Sequence, residues 1–477
     1  MSGLRSSFGL PMAGAAASER KPVATLALIV VNVAVYAVTS FRNLFLEVGD
    51  CWVEIGGFAP LSLSSPGEYY RLFTSMFLHA DFFHILFNMY FLYVFGRAVE
   101  NALGRGRYIA LYLLSGLVAS VFHAAFSFIG GFSNYVIPAI GASGAISGVL
   151  GAYLILYPGT SLIMGWWFFL FPFFIRLKAS YYLLFWFAAQ VMYGYAKAAG
   201  STAVFAHAGG FIAGIALLWL LADRDRLVQL RLVDRITPPY YLVIYPAKTG
   251  GLSRTTKLVL GALLVLILAS SAYASLGLAE ISGITKSAII QYNCDGSFFK
   301  DYTGIRLPNI EESIDDTPLD TTRILLNRLY VAGLLYNVGE AGGKISIENQ
   351  AMELHIPVII DTFSSVVRVN FTVHRFRGSY DDDGFLLYGE GNIETQIIKI
   401  QLAYGPGNRP YPMVYYEPVT YDFNISSQTV NLNVITRYTA LASLASTLAA
   451  LMITLKKDRE LTLVGEEPSW RGNHILL

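Results

Sequence analysis

Long apolar stretches are the feature that most constrains how this chain can fold. Eight segments approach the roughly 20 apolar residues that a helix needs to cross a bilayer. They cover residues 23–39, 84–98, 108–129, 141–157, 181–196, 203–222, 258–278 and 438–455. The composition agrees, because only 14% of the residues are charged, against roughly 25% in soluble domains. The sequence therefore predicts a polytopic α-helical membrane protein.

Basic residues alternate between the loops and so orient the spans. Lys and Arg cluster at 97–107, 176–178 and 224–257, whereas 130–140 carries no charge. Since loops rich in Lys and Arg stay in the cytoplasm, we expect a multi-pass protein of the cell membrane with both chain ends inside. The apolar run after residue 21 is too long for a signal peptide. The second, fourth and sixth spans then begin on the outer side.

The order of these segments predicts the domain organisation. The first six spans form one helical core, and two further spans flank a domain outside the membrane. The predicted units are a Gly-, Ala- and Ser-rich disordered cytoplasmic amino terminus 1–21, a six-helix core 22–222, a basic cytoplasmic linker 223–257 containing Pro238-Pro239, a seventh helix 258–279, an extracytoplasmic domain 280–437, an eighth helix 438–455 and a cytoplasmic tail 456–477.

Residues 280–437 differ in pattern from the rest of the chain. Apolar and polar residues alternate with a period of two, which is typical of half-buried strands. The alternating segments are 344–348, 353–360, 366–373, 395–402 and 429–434, with turn residues at Gly342-Gly343, Asp383-Gly384 and 405–408. Residues 321–336 space their apolar positions for one amphipathic helix. We therefore expect a mostly β, sandwich-like extracytoplasmic domain.

A serine and a histidine occupy unusual positions at the starts of apolar spans. Ser143 lies among glycines where the fourth span begins, and His207 lies near the start of the sixth. The predicted topology puts both at one membrane depth, where polar groups usually have a function. His207 is thus placed to take the proton from Ser143 and make it nucleophilic. Because the only acid in the six spans is Glu100, at the cytoplasmic end, we expect a dyad without an aspartate.

Small residues predict that the fourth and sixth spans approach closely. Gly144, Gly148 and Gly151 form one stripe, and Gly210 and Gly214 form another. Such stripes let membrane helices come into contact. They would bring the serine and the histidine together across 63 intervening residues.

Hydrogen-bond donors for an oxyanion are also present. His84 and Asn88 are four residues apart, so they share one face at the start of the second span. The backbone N–H of Ser143, at a helix amino terminus, adds another donor. Acyl transfer needs donors of this kind, so the sequence predicts an acyl-transfer site.

Together these motifs resemble the signatures of rhomboid intramembrane serine proteases. The resemblance rests on Gly141-Ala-Ser143-Gly, Ala206-His207-x-x-Gly210-x-x-x-Gly214 and His84-x-x-x-Asn88. Further matches are His79, Tyr70-Arg71 in place of the usual Trp-Arg, Gly96-x-x-x-Glu100-x-x-x-Gly104 and Trp186-Phe187-x-x-Gln190. The resemblance covers about residues 22–222 and says nothing about 223–477.

The resemblance implies a six-helix rhomboid fold that hydrolyses peptide bonds of transmembrane proteins near the outer face. It implies Ser143 as nucleophile, His207 as general base, and His84, Asn88 and the Ser143 N–H as the oxyanion hole. It also implies a fifth span that gates substrate entry, no cofactor and no metal. Supporting residues would be His79, Arg71, Gly144, Gly210 and Trp186. Position 147, often aromatic in the family, is Ser147 here, which leaves open how the histidine is held.

Other functions remain open at this point. A catalytically silent rhomboid-like protein would bind membrane clients, although such relatives typically lack the serine or the histidine. A transporter would need an intramembrane charge or inverted repeats, and the sequence shows neither. A metal site on His79, His84 and His207 would lack a carboxylate or thiolate ligand. The net charge of +1 argues against a nucleic-acid partner.

The expected partners are the lipid bilayer and transmembrane protein substrates. The domain at 280–437 would either recruit a substrate or partner at the outer face or serve as a structural anchor. Cys51 and Cys294 both fall on the outer side, where a disulfide between them is one alternative and two separate thiols the other. Asn370 and Asn424 begin glycosylation motifs on the same side.

Overall fold

The computed structural model of the chain describes residues 10–13, 21–168, 171–197, 203–233, 250–294, 296–317, 319–360, 363–404 and 410–466. Four sequence predictions lie wholly or largely outside these residues. They concern the disorder predicted for the amino terminus, the Pro238-Pro239 segment, the turn at 405–408 and the end of the tail at 467–477.

Helices make up most of the first half of the chain. The helices are α1 Val23–Ser40, α2 Asp50–Gly56, α3 Arg71–Thr74, α4 Phe82–Leu103, α5 Arg105–Gly130, α6 Ser133–Val136, α7 Ser143–Leu156, α8 Ala179–Tyr195, α9 Val204–Leu221, α10 Arg224–Val233, α11 Arg254–Ser275, α12 Ile310–Asp315, α13 Asp320–Val331, α14 Leu432–Met452 and α15 Asp458–Leu461. Short 3-10 turns occur at Phe41–Asn43, Pro60–Ser64, Pro66–Glu68, Ser75–Phe77 and Val338–Glu340, and one π-helical turn at Ile453–Lys457.

All eight predicted spans are helical in the structure. Among the described residues, six helices are long and apolar enough to cross a membrane, formed by α1, α4, α5, α9, α11 and the helical run from α14 to α15. The other two spans are shorter, because α7 has 14 residues and α8 has 17. The chain is therefore a polytopic helical membrane protein, as predicted.

Local sequence sets several of the helix boundaries. The Asp81 side chain accepts from the His84 N–H at 2.8 Å and so caps the amino terminus of α4. Ser253 and Asn431 cap α11 and α14 in the same way. Gly104, with φ of 81°, turns the chain between α4 and α5. These caps fix where the apolar helices start and end.

Helix α7 is the centre of the bundle. Every residue from Gly144 to Leu156 is buried, as expected for a helix that is apolar all round. A Cβ on Gly210 would lie 2.0 Å from the carbonyl oxygen of Gly144, and one on Gly214 would lie 1.9 Å from that of Gly148. The predicted close approach of these two helices is therefore confirmed, and a larger residue on α9 would separate them.

Residues 284–430 form a separate domain built on one antiparallel sheet. Its strands are β4 Ile284–Cys294, β5 Ser297–Leu307, β6 Lys344–Ile360, β7 Phe363–Tyr380, β8 Leu386–Tyr404 and β9 Pro410–Val430, in the order β5-β4-β9-β8-β7-β6. A smaller sheet joins β1 Leu10–Ala13, β2 Ser161–Phe168 and β3 Phe171–Lys178. We call the large unit the sheet domain.

The sheet domain is mostly β, as predicted, but it is not a sandwich. One face of its six-stranded sheet is covered by α12 and α13 in place of a second sheet. Leu325, Leu326 and Leu329 of α13 pack with Phe371 and Ile393 of the sheet. An amphipathic helix buries a sheet face as well as a second sheet does, so the alternation of apolar residues did not distinguish the two arrangements.

Three local predictions are also wrong, and two strands have no counterpart among the predicted ones. The strand predicted at 429–434 ends at Val430, because Asn431 caps α14. The amphipathic helix ends at Val331 and not at residue 336. Strands β4 and β5 were not predicted, since polar residues such as Asp301 are buried within them. Leu10–Ala13, predicted to be disordered, pairs with β2.

The sheet domain rests on the loop between α1 and α4, residues 41–81, which we call the first loop. The Tyr302 hydroxyl of β5 lies 2.6 Å from Ser64 Oγ. Lys300 lies 3.2 Å from the Glu68 carboxylate. An apolar cluster fills the junction, formed by Phe58, Leu61, Phe132, Tyr135, Val136, Tyr302, Leu432 and Ile435 with Ala124. The domain is thus packed against the helical core.

Cys51 and Cys294 form no disulfide. Cys51 is exposed on α2, whereas Cys294 is buried at the end of β4. The bridge considered from the sequence is therefore not formed, since one thiol faces outward and the other belongs to the core of the sheet domain. Asn370 and Asn424 are exposed on the sheet, and their glycosylation stays a prediction.

Candidate active site

Ser143 and His207 meet where α7 and α9 begin. Ser143 is the first residue of α7, and His207 lies in the first turn of α9. The imidazole Nε2 of His207 lies 2.8 Å from Ser143 Oγ, a hydrogen-bond distance. The glycine contacts of α7 and α9 set this distance, because they bring the two helix axes together one turn further along.

Two side chains of α8 hold the histidine. Gln190 Oε1 lies 2.9 Å from Nδ1 of His207, so the Nδ1–H donates to the amide oxygen. Because the proton is on Nδ1, the lone pair of Nε2 can accept the hydrogen bond of the serine hydroxyl. The Trp186 ring packs beside the imidazole, tilted by 34° and with centroids 6.2 Å apart. These contacts replace the aromatic support that Ser147 cannot give.

Gln190 is the site residue that sequence reasoning missed. The Trp186-Phe187-x-x-Gln190 match implies no separate role for it. The signal was available, because residues 186 and 190 are four apart and so share one face of α8. The side chain of Ser147, by contrast, turns back to the carbonyl of Ser143 at 2.6 Å.

The segment before Ser143 is held by backbone contacts. Gly141 has φ of 126°, and its N–H donates to the Ser75 carbonyl at 2.9 Å. A Cβ there would lie 2.8 Å from Nε2 of His84 and 3.6 Å from Ser143 Oγ. Glycine is therefore required at 141, both for its φ and for space, and the histidine and the serine flank it. The Ala142 N–H points at Nε2 of His79, 3.5 Å away.

His84 presents a donor beside Gly141. The Ala80 N–H donates to Nδ1 of His84 at 3.3 Å, so the neutral ring carries its proton on Nε2. That nitrogen is the one adjacent to Gly141. The His79 ring packs edge-on against it, with centroids 5.2 Å apart. His84 is thereby fixed as an N–H donor toward the same space that Ser143 borders.

Asn88 lies one helical turn below His84 on α4. The side chain is buried, and its Nδ2 has no hydrogen-bond partner among the residues that the structure describes. A buried donor without an acceptor lowers the free energy of unfolding by about 1–3 kcal/mol. Such a group is commonly kept where a ligand or a reaction intermediate accepts its hydrogen bond.

Arg71 lies away from the serine and organises the first loop. It is buried, pairs with Glu68 at 2.6 Å and donates to the carbonyls of Glu54 and Gly57. Glu100 lies at the opposite end of the bundle, where its carboxylate accepts from the N–H groups of Ala24 and Thr25. Neither charged residue takes part in the serine–histidine pair.

The arrangement has the parts of an acyl-transfer site. The Ser143 hydroxyl is hydrogen-bonded to one ring nitrogen of His207, and the Gln190 amide orients the other ring nitrogen. Two side-chain donors lie on the neighbouring helix α4. Among the described residues, no group of three or more His, Cys, Asp or Glu is placed to hold a metal ion. Fold and site define a polytopic membrane protein with a serine–histidine pair at one end of its helical bundle.

Comparison with known proteins finds one known domain in the first half of the chain. Residues 66–224 match the family model for the rhomboid domain, so the chain carries a rhomboid domain and extends well beyond it. Rhomboid protease AarA of Providencia stuartii is 32% identical over 140 residues, which are 28% of this chain and 50% of the relative. Rhomboid protease GluP of Bacillus subtilis is 44% identical over 93 residues, 20% of this chain and 17% of the relative.

A eukaryotic relative covers more of the chain. Rhomboid protein 1, mitochondrial, of Saccharomyces cerevisiae is 28% identical over 200 residues, 41% of this chain and 52% of the relative. The chain thus spans about half or less of these relatives. The family match ends at residue 224, before the sheet domain begins.

Proposed function

We propose that this chain is an intramembrane serine endopeptidase that cleaves transmembrane protein substrates near the outer face of the membrane. The observation that carries the proposal is the 2.8 Å hydrogen bond between His207 Nε2 and Ser143 Oγ. It lies within a rhomboid domain, a family whose members are typically intramembrane serine proteases.

In the first half of the reaction, Ser143 attacks the scissile carbonyl. His207 accepts the hydroxyl proton on Nε2 as the Oγ–C bond forms. The new imidazolium keeps its Nδ1–H on Gln190, so the ring does not rotate away. The carbonyl π electrons move onto oxygen, where the Nε2–H of His84, the Nδ2–H of Asn88 and the N–H of Ser143 stabilise the charge.

In the second half, the intermediate collapses and the C–N bond breaks. His207 returns its proton to the leaving amine, which departs as one product. A water molecule then attacks the acyl-enzyme and gives its proton to the same nitrogen. Collapse of this second intermediate breaks the C–Oγ bond, and His207 returns the proton to Ser143 Oγ. The carboxylic acid product then leaves, so the cycle balances without a cofactor.

The domain layout and topology predicted from the sequence are part of this proposal. Both chain ends lie in the cytoplasm, and the sheet domain lies outside together with the starts of α7 and α9. Helix α8, which carries Trp186 and Gln190, is the gate through which a substrate helix reaches the serine. The sheet domain recruits substrates or partners at the outer face.

The experiment that tests the proposal uses the full chain in liposomes with a labelled single-span substrate. We expect cleavage by the wild type and none by Ser143→Ala or His207→Ala. The double variant should be no worse than either single one, because the two residues act as a unit. Ser120→Ala on α5, a buried serine whose hydroxyl faces the Gly116 carbonyl, is the matched control and should retain cleavage.

The alternative function is a silent rhomboid-like protein that binds membrane clients. It predicts that crosslinking of clients is the same in wild type and Ser143→Ala and that no cleavage occurs in either. Undiminished cleavage in Ser143→Ala would instead reject the serine mechanism.

A further inference from the structure

Two carboxyl groups face each other across the junction between the first loop and the sheet domain. Glu54 on α2 is 5% exposed, and Asp301 on β5 is 1% exposed. Both oxygens of Asp301 are buried with no hydrogen-bond donor among the described residues, and the group they adjoin is the Glu54 carboxyl. Two ionised carboxylates cannot both be buried in contact, so this pair holds a proton.

The charged groups around this carboxyl pair do not remove the need for a proton. Asp50 on α2 adds negative charge, and Tyr292 lies near on β4. Arg71 on α3 attracts the pair, but its hydrogen bonds go to Glu68 and to backbone carbonyls. Lys300, the neighbour on β5, also pairs with Glu68. Neither base donates a hydrogen bond to the pair.

The pKa of Glu54 shows the direction of the proton linkage. Burial, and then the contact with Asp301, raise this pKa well above its usual range. A carboxyl whose pKa is raised by docking keeps a proton that the separated surfaces release at the ordinary carboxyl pKa. Docking is therefore strongest below that ordinary pKa and weakens as the pH rises from there through the raised pKa, by up to about tenfold per pH unit.

Helix α2 connects the pair to the serine. Two residues after this helix, Phe58 exchanges backbone hydrogen bonds with Ala139, at 3.1 and 2.9 Å. A Cβ on Gly57 would lie 2.8 Å from Pro138. Residues 138–141 lead directly into Ser143. A displacement of α2 therefore acts on the segment that positions the serine.

We propose that Glu54 and Asp301 form a proton-dependent lock that docks the sheet domain on the first loop and so holds the segment before Ser143. The lock is closed when the pair shares one proton and opens when that proton is lost. Its effect on cleavage rests on the proposed function, whereas the docking itself does not.

Pulsed electron spin resonance on the full chain in liposomes tests the lock. One spin label is attached to the exposed Cys51, while the buried Cys294 stays unlabelled in the folded protein. The second label is placed by Thr420→Cys at an exposed position on the central strand β9. We expect one narrow distance at pH 6 and a growing broad component as the pH is raised toward about 10.5.

The Glu54→Gln variant should keep the narrow distance across this pH range, because its amide donates to Asp301 without titrating. Asp301→Asn neutralises the other carboxyl of the pair, so it should also keep the narrow distance across this pH range. It provides the test if Glu54→Gln folds poorly. Glu47→Gln, an exposed carboxylate elsewhere on the first loop, is the matched control and should broaden like the wild type.

Two results would overturn the lock. One is a wild-type distance that does not change with pH, and the other is equal broadening in wild type and Glu54→Gln. Cleavage is measured in parallel, and its rate should fall with pH more steeply in the wild type than in Glu54→Gln. If no cleavage is seen at any pH, the proposed function fails while the distance measurement still decides the lock.

Discussion

Gln190 offers a sharp test of how the site is built, because only the structure gives it a role. Its amide oxygen accepts from the Nδ1–H of His207 at 2.9 Å. Replacing it with leucine keeps the volume on α8 and removes the acceptor. A neutral hydrogen bond contributes about 0.5–1.5 kcal/mol net, which corresponds to a rate loss of roughly 2- to 13-fold. We expect this loss in kcat, with KM little changed.

Two measurements distinguish a positioning role of Gln190 from a general loss of structure. Steady-state cleavage in liposomes gives kcat and KM separately. Nitrogen-15 NMR of labelled histidine reports which ring nitrogen of His207 carries the proton. The wild type should show the Nδ1–H form, and Gln190→Leu should show both tautomers. An unchanged kcat together with an unchanged tautomer would refute the reasoning, as would a loss confined to KM.

Three further predictions concern the oxyanion donors, the helix contact and the first loop. Asn88→Ala should lower kcat by roughly 10²–10³-fold while thermal unfolding in detergent stays near wild type; equal rates would exclude Asn88 as a donor. Gly214→Ala should lower stability by about 1–3 kcal/mol, because its Cβ would lie 1.9 Å from the Gly148 carbonyl oxygen, and an unchanged unfolding midpoint would contradict the packing. Hydrogen bonding and charge pairing with Arg71 hold the pKa of Glu68 below its usual range against the opposing effect of burial. The pair therefore stabilises the fold above the ordinary carboxyl pKa, and this stability is lost as the pH falls through the lowered pKa. In Glu68→Gln the unfolding midpoint should fall less at acid pH than it does in the wild type.

The sequence was most informative where the bilayer restricts the choices. Apolar length predicted every span, and alternating basic loops put Ser143 and His207 at one depth. The glycines at 210 and 214 then predicted a contact that the structure contains. These inferences succeed because a membrane helix must be long, apolar and internally bonded, so a polar or small residue in it is informative.

Other features depend on rotations and partners that a pattern does not contain. Gln190 bonds to His207 only because α8 turns that face toward α9. The carboxyl pair joins residues 54 and 301, which no local spacing relates. Alternation along a strand is the same whether a helix or a sheet covers it, so the pattern in the sheet domain predicts a sandwich as readily as a helix-covered sheet. Strands β4 and β5 cannot be predicted from alternation, because polar residues occupy buried positions in them.

The most direct test of the central claim is covalent labelling of the serine. A fluorophosphonate probe reacts with a serine only when a neighbouring base activates it. In membranes containing the full chain, we predict that mass spectrometry finds the phosphonyl group on Ser143 in the wild type and finds almost none in His207→Ala. Equal labelling of Ser143 in His207→Ala, or a label on another residue alone, would contradict a serine nucleophile activated by His207.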